Sequence, residues 1–269
     1  MDFGGLGMES VAIVAILAAV VAIFYSNLGL GGGQLYVPIM VVFFGSLEMK
    51  DIVPLSLTLA FVTMATATFT HSKKGLVDFK LGIQLALAGV LGVVGGVLFT
   101  VNVQEELVKG AFAAMLVIVA TKMIHDIYKG RKDSSTCPTQ FSSKILVCGM
   151  GVSILTGFLI GSFGIGGGVV SVPLIIYVFG IESRRAIGTS ALMGAILTPA
   201  AFLAYALDPG AGVVIHYDVA LVLVPVVLVL ALIGSTWGLE KLRTKTVKVI
   251  FTCGVYLAAT VMIYSLLLQ

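Results

Sequence analysis

The sequence predicts an all-α integral membrane protein built from two inverted-topology repeats, each a glycine-tipped helical hairpin plus three transmembrane helices. Three observations carry this. Apolar residues make up 59% of the chain and charged residues 11%, with a mean hydropathy of +1.12, where a soluble domain carries roughly a quarter charged residues. Charge-free stretches long enough to cross a ~30 Å hydrocarbon layer recur along the chain. The segment Leu28-Gly-Leu-Gly-Gly-Gly-Gln-Leu-Tyr-Val-Pro38 also returns 135 positions later as Phe163-Gly-Ile-Gly-Gly-Gly-Val-Val-Ser-Val-Pro173, the signature of a duplicated chain with its working site between the copies.

The elements follow from charge placement, because Lys and Arg near span ends mark the cytoplasmic side. Fourteen of the 16 basic residues fall into four groups: Lys73 to Lys80, Lys122 to Lys144, Arg184 with Arg185, and Lys241 to Lys248. The intervening segments hold Glu48, Asp51, Glu105, Glu106, Asp208 and Asp218, with only Lys50 and Lys109 as basic residues, and are placed outside. From the basic linker to Arg184 the chain stays apolar over 145–180, so it must leave the cytoplasmic side and return. It folds back at Gly164–Gly168, giving arms of about 19 and 12 residues, or roughly 28 and 18 Å. The second arm is too short to span.

The first repeat, 1–133, therefore comprises a hairpin over 9–45 and spans over 52–70, 77–100 and 104–126. The second, 134–269, comprises a hairpin over 145–180 and spans over 186–207, 216–239 and 246–268. One hairpin plus three crossings is an odd number, which turns the second copy upside down. The first apolar run, Val11 to Tyr25, follows a leader with Asp2 and Glu9 and no basic residue, unlike a signal peptide. It matches Val147–Gly161 and is expected to be retained.

Weaker internal matches support the repeat. Gly92-Val-Val-Gly-Gly96 answers Gly234-Ser-Thr-Trp-Gly238, and Val77-Asp-Phe79 answers Tyr217-Asp-Val219. Ile52-Val-Pro-Leu-Ser-Leu57 aligns with Ala186-Ile-Gly-Thr-Ser-Ala191 after a one-residue shift. The GxxxG spacings serve close helix packing. Asp78 and Asp218, at span starts, are read as caps rather than a proton relay. Cys137, Cys148 and Cys253 have no paired spacing and are read as packing or loop residues.

The glycine runs carry the chemistry. Irregular backbone at membrane depth is tolerated only where it is buried in protein or lines a cavity. Glycine lets successive N–H groups converge into an anion-binding nest, and the helix starting after each run, at Gln34 and Val169, aims its positive end at the same spot. A hydrogen bond to a charged group nets ~1.5–3 kcal/mol, so four converging amides contribute about 6–12 kcal/mol towards dehydrating an oxyanion. The candidate substrate-binding residues are Asn27, Gly31, Gly32, Gly33, Gln34, Ser56, Ser162, Gly166, Gly167, Gly168, Val169, Thr189 and Ser190. A dinucleotide fingerprint is disfavoured, since Gly29-Leu-Gly31 lacks the third glycine at its required spacing.

Absences point the same way. No Asp, Glu, Lys, Arg or His occurs over 11–45, 52–69, 145–180, 186–207 or 219–239, whereas a cation site or proton relay normally uses one. A small anion held by neutral dipoles fits that content.

With these marks the chain resembles the TauE/SafE (TSUP) sulfite exporter family of anion transporters. The resemblance rests on the two glycine runs followed by Pro38 and Pro173, on Gly188-Thr-Ser190 after Arg184-Arg185, and on His71 followed by Gly75 and Asp78. It implies transport of sulfite or a related sulfonate or thiosulfate, with no cofactor. The first half carries Pro54-Leu-Ser56 where the second carries Gly188-Thr-Ser190, which argues against symmetric use of those hydroxyls. The expected partners are a small anionic substrate and the lipid bilayer, with no nucleic acid. A homodimer is compatible but does not follow from the sequence. The chain is expected as a multi-pass protein of the inner (plasma) membrane with both termini outside. The rival readings are an anion channel of the same architecture and a membrane-embedded enzyme. The latter is disfavoured by the lack of HExxH, GxSxG or paired intramembrane aspartates.

Overall fold

A computed structural model describes residues 6–128, 142–208, 212–241 and 244–267, leaving aside the side chains of 122–128, 237–241, 244–253 and 266–267. The basic linker around 131–135, Cys137 and Gly210 lie outside the described residues, as does the Cys253 side chain. Among the described residues every regular element is a helix. They are α1 (Met8–Leu28), α2 (Gly33–Phe43), α3 (Met49–Lys73), α4 (Phe79–Asn102), α5 (Glu105–Tyr128), α6 (Ser143–Phe163), α7 (Gly168–Phe179), α8 (Ser183–Ala206), α9 (Tyr217–Lys241) and α10 (Thr244–Leu267). Six have the length and apolar content to cross a membrane: α1, α3, α4, α6, α8 and the Tyr217–Thr236 part of α9. Exposed Ile16, Leu91, Val147 and Leu221 belong against lipid.

The two short helices are what a spanning reading would miss. At 1.5 Å per residue, α1 with its 21 residues runs about 31 Å and α2 with its 11 about 16 Å. α6 and α7, with 21 and 12 residues, repeat that mismatch. Each long arm ends at a glycine in the left-handed region, Gly29 at φ 59° and Gly164 at φ 65°, which terminates a helix without a Cβ penalty. Each short arm contains a proline, Pro38 or Pro173, which removes one N–H from the ladder.

Small residues let the helices approach. α4 lies along α6, and a Cβ added at Gly92 would strike the Ile154 carbonyl, one at Gly96 the Phe158 carbonyl, and one at Gly157 the Gly89 carbonyl. Such contact is the close packing expected of small-xxx-small spacings. α9 lies along α1 in the same way, with Gly234 under the Ile23 carbonyl. Other contacts also come in matching pairs: α4 on α8 and α9 on α3, α2 on α3 and α7 on α8. α3 and α8 pack together at the centre, and α5 against α10.

The loops between spans dock on the opposite half. At the end bearing Lys73, Arg184 and Arg185, the backbone N–H of Asp78 donates to Thr189 Oγ1 at 3.0 Å, and Arg185 lies 3.6 Å from the Asp78 carboxylate. At the other end the N–H of Val214 donates to the Asp51 carboxylate at 2.8 Å. Asp78 caps α4 through Leu81 N–H at 3.1 Å, as its position suggested. Asp218 lies in the first turn of α9, where a negative charge suits the helix dipole. Lys50 and Lys109, the basic residues at this end, pair with Glu48 at 2.8 Å and Glu105 at 2.9 Å. Cys148 is exposed on α6.

Candidate anion site at the hairpin tips

The two tips share one backbone conformation. Gly29, Gly31 and Gly32 have φ of 59°, 76° and 82°; Gly164, Gly166 and Gly167 have 65°, 66° and 82°. These six are left-handed at matching positions, so the glycine run encodes a shape that other residues adopt only at a cost of roughly 1–2 kcal/mol each. The first helical hydrogen bonds of α2 run from Leu35 and Tyr36 N–H to the Gly32 carbonyl at 2.9 and 3.0 Å. Those of α7 run from Val170 and Ser171 N–H to Gly167 at 3.1 Å. The amides of Gly33, Gln34, Gly168 and Val169 thus stand ahead of each helical ladder, where orphan N–H groups gather.

The tips meet each other directly. A Cβ at Gly31 would lie 2.9 Å from the Gly166 Cα, and one at Gly166 the same distance from Gly31. A Cβ at Gly33 would run into the Gly164 carbonyl, and one at Gly168 into the Gly29 carbonyl. Because Gly164 and Gly29 terminate the long arms, the negative end of α6 faces the positive start of α2. The end of α1 faces the start of α7 in the same way. Opposite dipole ends placed so close attract each other. Met64, buried and sixteenth of the 25 residues of α3, would press on a Cβ at Gly31 or at Gly194, the latter twelfth of the 24 residues of α8. The junction therefore lies near the middle of both central helices.

Ser56 Oγ donates to the Gly164 carbonyl at 3.1 Å, and Ser190 Oγ lies 3.5 Å from the Gly29 carbonyl. Ser56 thus holds the opposite tip, whereas the Ser190 proton goes to Ser171 at 2.7 Å, whose own hydroxyl donates to the Gly167 carbonyl at 2.9 Å. Gly31, Gly33, Gly166 and Gly168 form the junction itself, while Gly32 faces Tyr36 and Val21 and Gly167 faces Ile160 within their own hairpins; Gln34 is buried beside the Tyr25 hydroxyl. Asn27 is buried in the last turn of α1. Val169 is half-buried at the start of α7.

Two candidates face elsewhere. Thr189 holds the loop before α4, and Ser162 Oγ donates to the Gly96 carbonyl at 3.2 Å, so both serve helix packing. Sequence reasoning missed Met64, Gly194, Tyr36 and Ser171. Tyr36, whose hydroxyl pairs with Thr63 Oγ1 at 3.0 Å, and Ser171 occupy the same place in the two glycine segments, and that correspondence was available. Among the described residues no cluster of three His, Cys, Asp or Glu side chains is arranged to hold a metal ion.

The sequence profile of the sulfite exporter TauE/SafE family matches residues 14–262, which takes in both tips and all ten helices at least in part. The chain belongs to the TauE/SafE family. This TauE/SafE protein is a multi-pass membrane transporter and not an enzyme. It is 27% identical over 229 residues to a probable membrane transporter protein of Methanocaldococcus jannaschii, covering 82% of this chain and 80% of that one. It is 29% identical over 198 residues to one of Haemophilus influenzae, covering 71% and 72%. The probable membrane transporter protein YunE of Bacillus subtilis is 23% identical over 274 residues, 95% of this chain and 98% of that one. No solved structure matches the chain.

Proposed function

We propose that this TauE/SafE protein carries a small sulfur oxyanion, sulfite or a related sulfonate or thiosulfate, bound between the two hairpin tips. The observation that supports this is the pair of matching left-handed glycine tips, at mid-depth, with amides of Gly33, Gln34, Gly168 and Val169 at the helix starts. No Asp, Glu, Lys, Arg or His occurs in the hairpins between Val11 and Gly45 or between Ile145 and Gly180. An anion held by neutral dipoles needs none. In the conformation described, the Gly29 and Gly164 carbonyls pack against the backbone of Gly168 and Gly33 at the helix starts. Substrate binding therefore parts the tips and offers those amides to the anion's oxygens.

Tip-to-tip contact favours a carrier over a channel, since a conducting pore cannot keep its centre closed. The halves 1–133 and 134–269 act as inverted repeats that rock about the tips, with the basic ends in the cytoplasm and no cofactor. Purified protein in liposomes should take up labelled sulfite saturably, without single-channel currents. Thiosulfate and sulfoacetate should compete, and acetate should not. Uptake that is unsaturable, or acetate competing as well as sulfite, would defeat the assignment.

A further inference from the structure

Among the described residues the matching of the extensive helix contacts fails most clearly at one place. α10 packs against α2, and a Cβ at Gly254, the eleventh residue of α10, would lie 3.3 Å from Leu35, the third of α2. The equivalent pair in the other half is Met115, eleventh of α5, and Val170, third of α7. These two line opposite walls of an open apolar cleft of about 770 Å³. α5 touches the second hairpin through Phe112 on Phe163, ring centroids 5.3 Å apart.

The facing walls have matching spacing. Ala111, Met115 and Ile118 line the cleft from α5, and Val170, Leu174 and Tyr177 line it from α7. Both triplets are spaced i, i+4, i+7, which places each on one helix face. Alanine on the α5 stripe leaves room for close approach. Two apolar stripes of the same period, facing across a gap whose counterpart is packed, are built to interdigitate.

We infer that the cleft between α5 and α7 is one of two alternating lateral seams: when α5 closes on α7, α10 lifts from α2. The conformation described has the α2 seam closed and the α7 seam open. Coupling follows from α5 packing on α10, since the pair moves as one unit between the two hairpins. This rests on the carrier reading, because it assigns to these helices the rocking that the tips require.

Spin labels read both seams in liposomes: one pair beside the stripes at Val117→Cys and Ile176→Cys, neither of which lines the cleft, the other at the exposed Val42→Cys and Leu257→Cys, with native cysteines removed. Closure brings α5 to a packed interaxial distance of about 8–10 Å from α7. The first pair should show a long and a short population, and adding sulfite should change the short fractions of the two pairs in opposite directions. A single, fixed long distance for the first pair in vesicles that exchange sulfite would overturn the inference; a resident lipid chain wedged in the cleft predicts that result. Both pairs shortening together would also overturn it. As a second arm, Ala111→Trp should prop the seam open and cut flux at least about tenfold while leaving sulfite binding intact; unchanged flux counts against it. If the seams exchange but sulfite neither binds nor moves, the seam mechanism stands and the substrate assignment falls.

Discussion

Replacing Gly33 or Gly168 with alanine places a methyl group against the carbonyl of Gly164 or Gly29, and neither backbone can yield without separating the tips. Both variants should insert and keep their helical signal yet lose sulfite uptake at least about tenfold, with binding by calorimetry as the check. Gly32→Val and Gly167→Val add left-handed strain, both sites having φ 82°, and should lose binding as well. Normal transport by any of the four would remove the tips from the mechanism. Ser56→Ala and Ser190→Ala are milder: the first deletes the bond to the Gly164 carbonyl and the second the bond to the Ser171 hydroxyl, and each should cost about 1 kcal/mol in thermal unfolding. At this scale the sequence was legible where a residue type has one use, as with paired glycine runs. It was not legible for Thr189 and Ser162, because a hydroxyl bonds any carbonyl within reach and only the fold decides which.

Helix contacts make sharper demands than helix propensity. Gly157 meets the Gly89 backbone, while Gly151, on the same helix, has open space. Gly157→Leu should therefore abolish folded protein, scored as monodisperse material in detergent. Gly151→Ala should be neutral or stabilising by up to about 1 kcal/mol from helix propensity. Equal yields of the two variants would mean that α4 and α6 do not pack as described. Hydrophobic length and punctuating glycines are local properties, and the helices Phe79–Asn102, Ser143–Phe163 and Gly168–Phe179 lie where those patterns fall. The open seam beside α7 was invisible to the same reasoning, since a gap depends on where α5 leans and not on what α5 contains.

At the scale of the molecule, charge bookkeeping orients the protein. Lys73, Lys74, Arg184 and Arg185 gather at one end and only Lys50 and Lys109 at the other, the asymmetry in Lys and Arg that the positive-inside rule reads. Cysteines at Lys74 and Glu48, in a background without native cysteines, should label oppositely: Glu48→Cys from outside intact cells, Lys74→Cys only after permeabilisation. Labelling of both from one side would remove the inverted repeat. The central claim is that one anion is shared by two helix starts, and its most direct test is a cryo-EM structure with sulfite bound. The account predicts density near the middle of α3 and α8, within hydrogen-bond reach of amides from both 31–34 and 166–169, with Gly31 and Gly166 drawn apart. Density at one tip alone, or beside Arg184 and Arg185 with the tips still in contact, would contradict it.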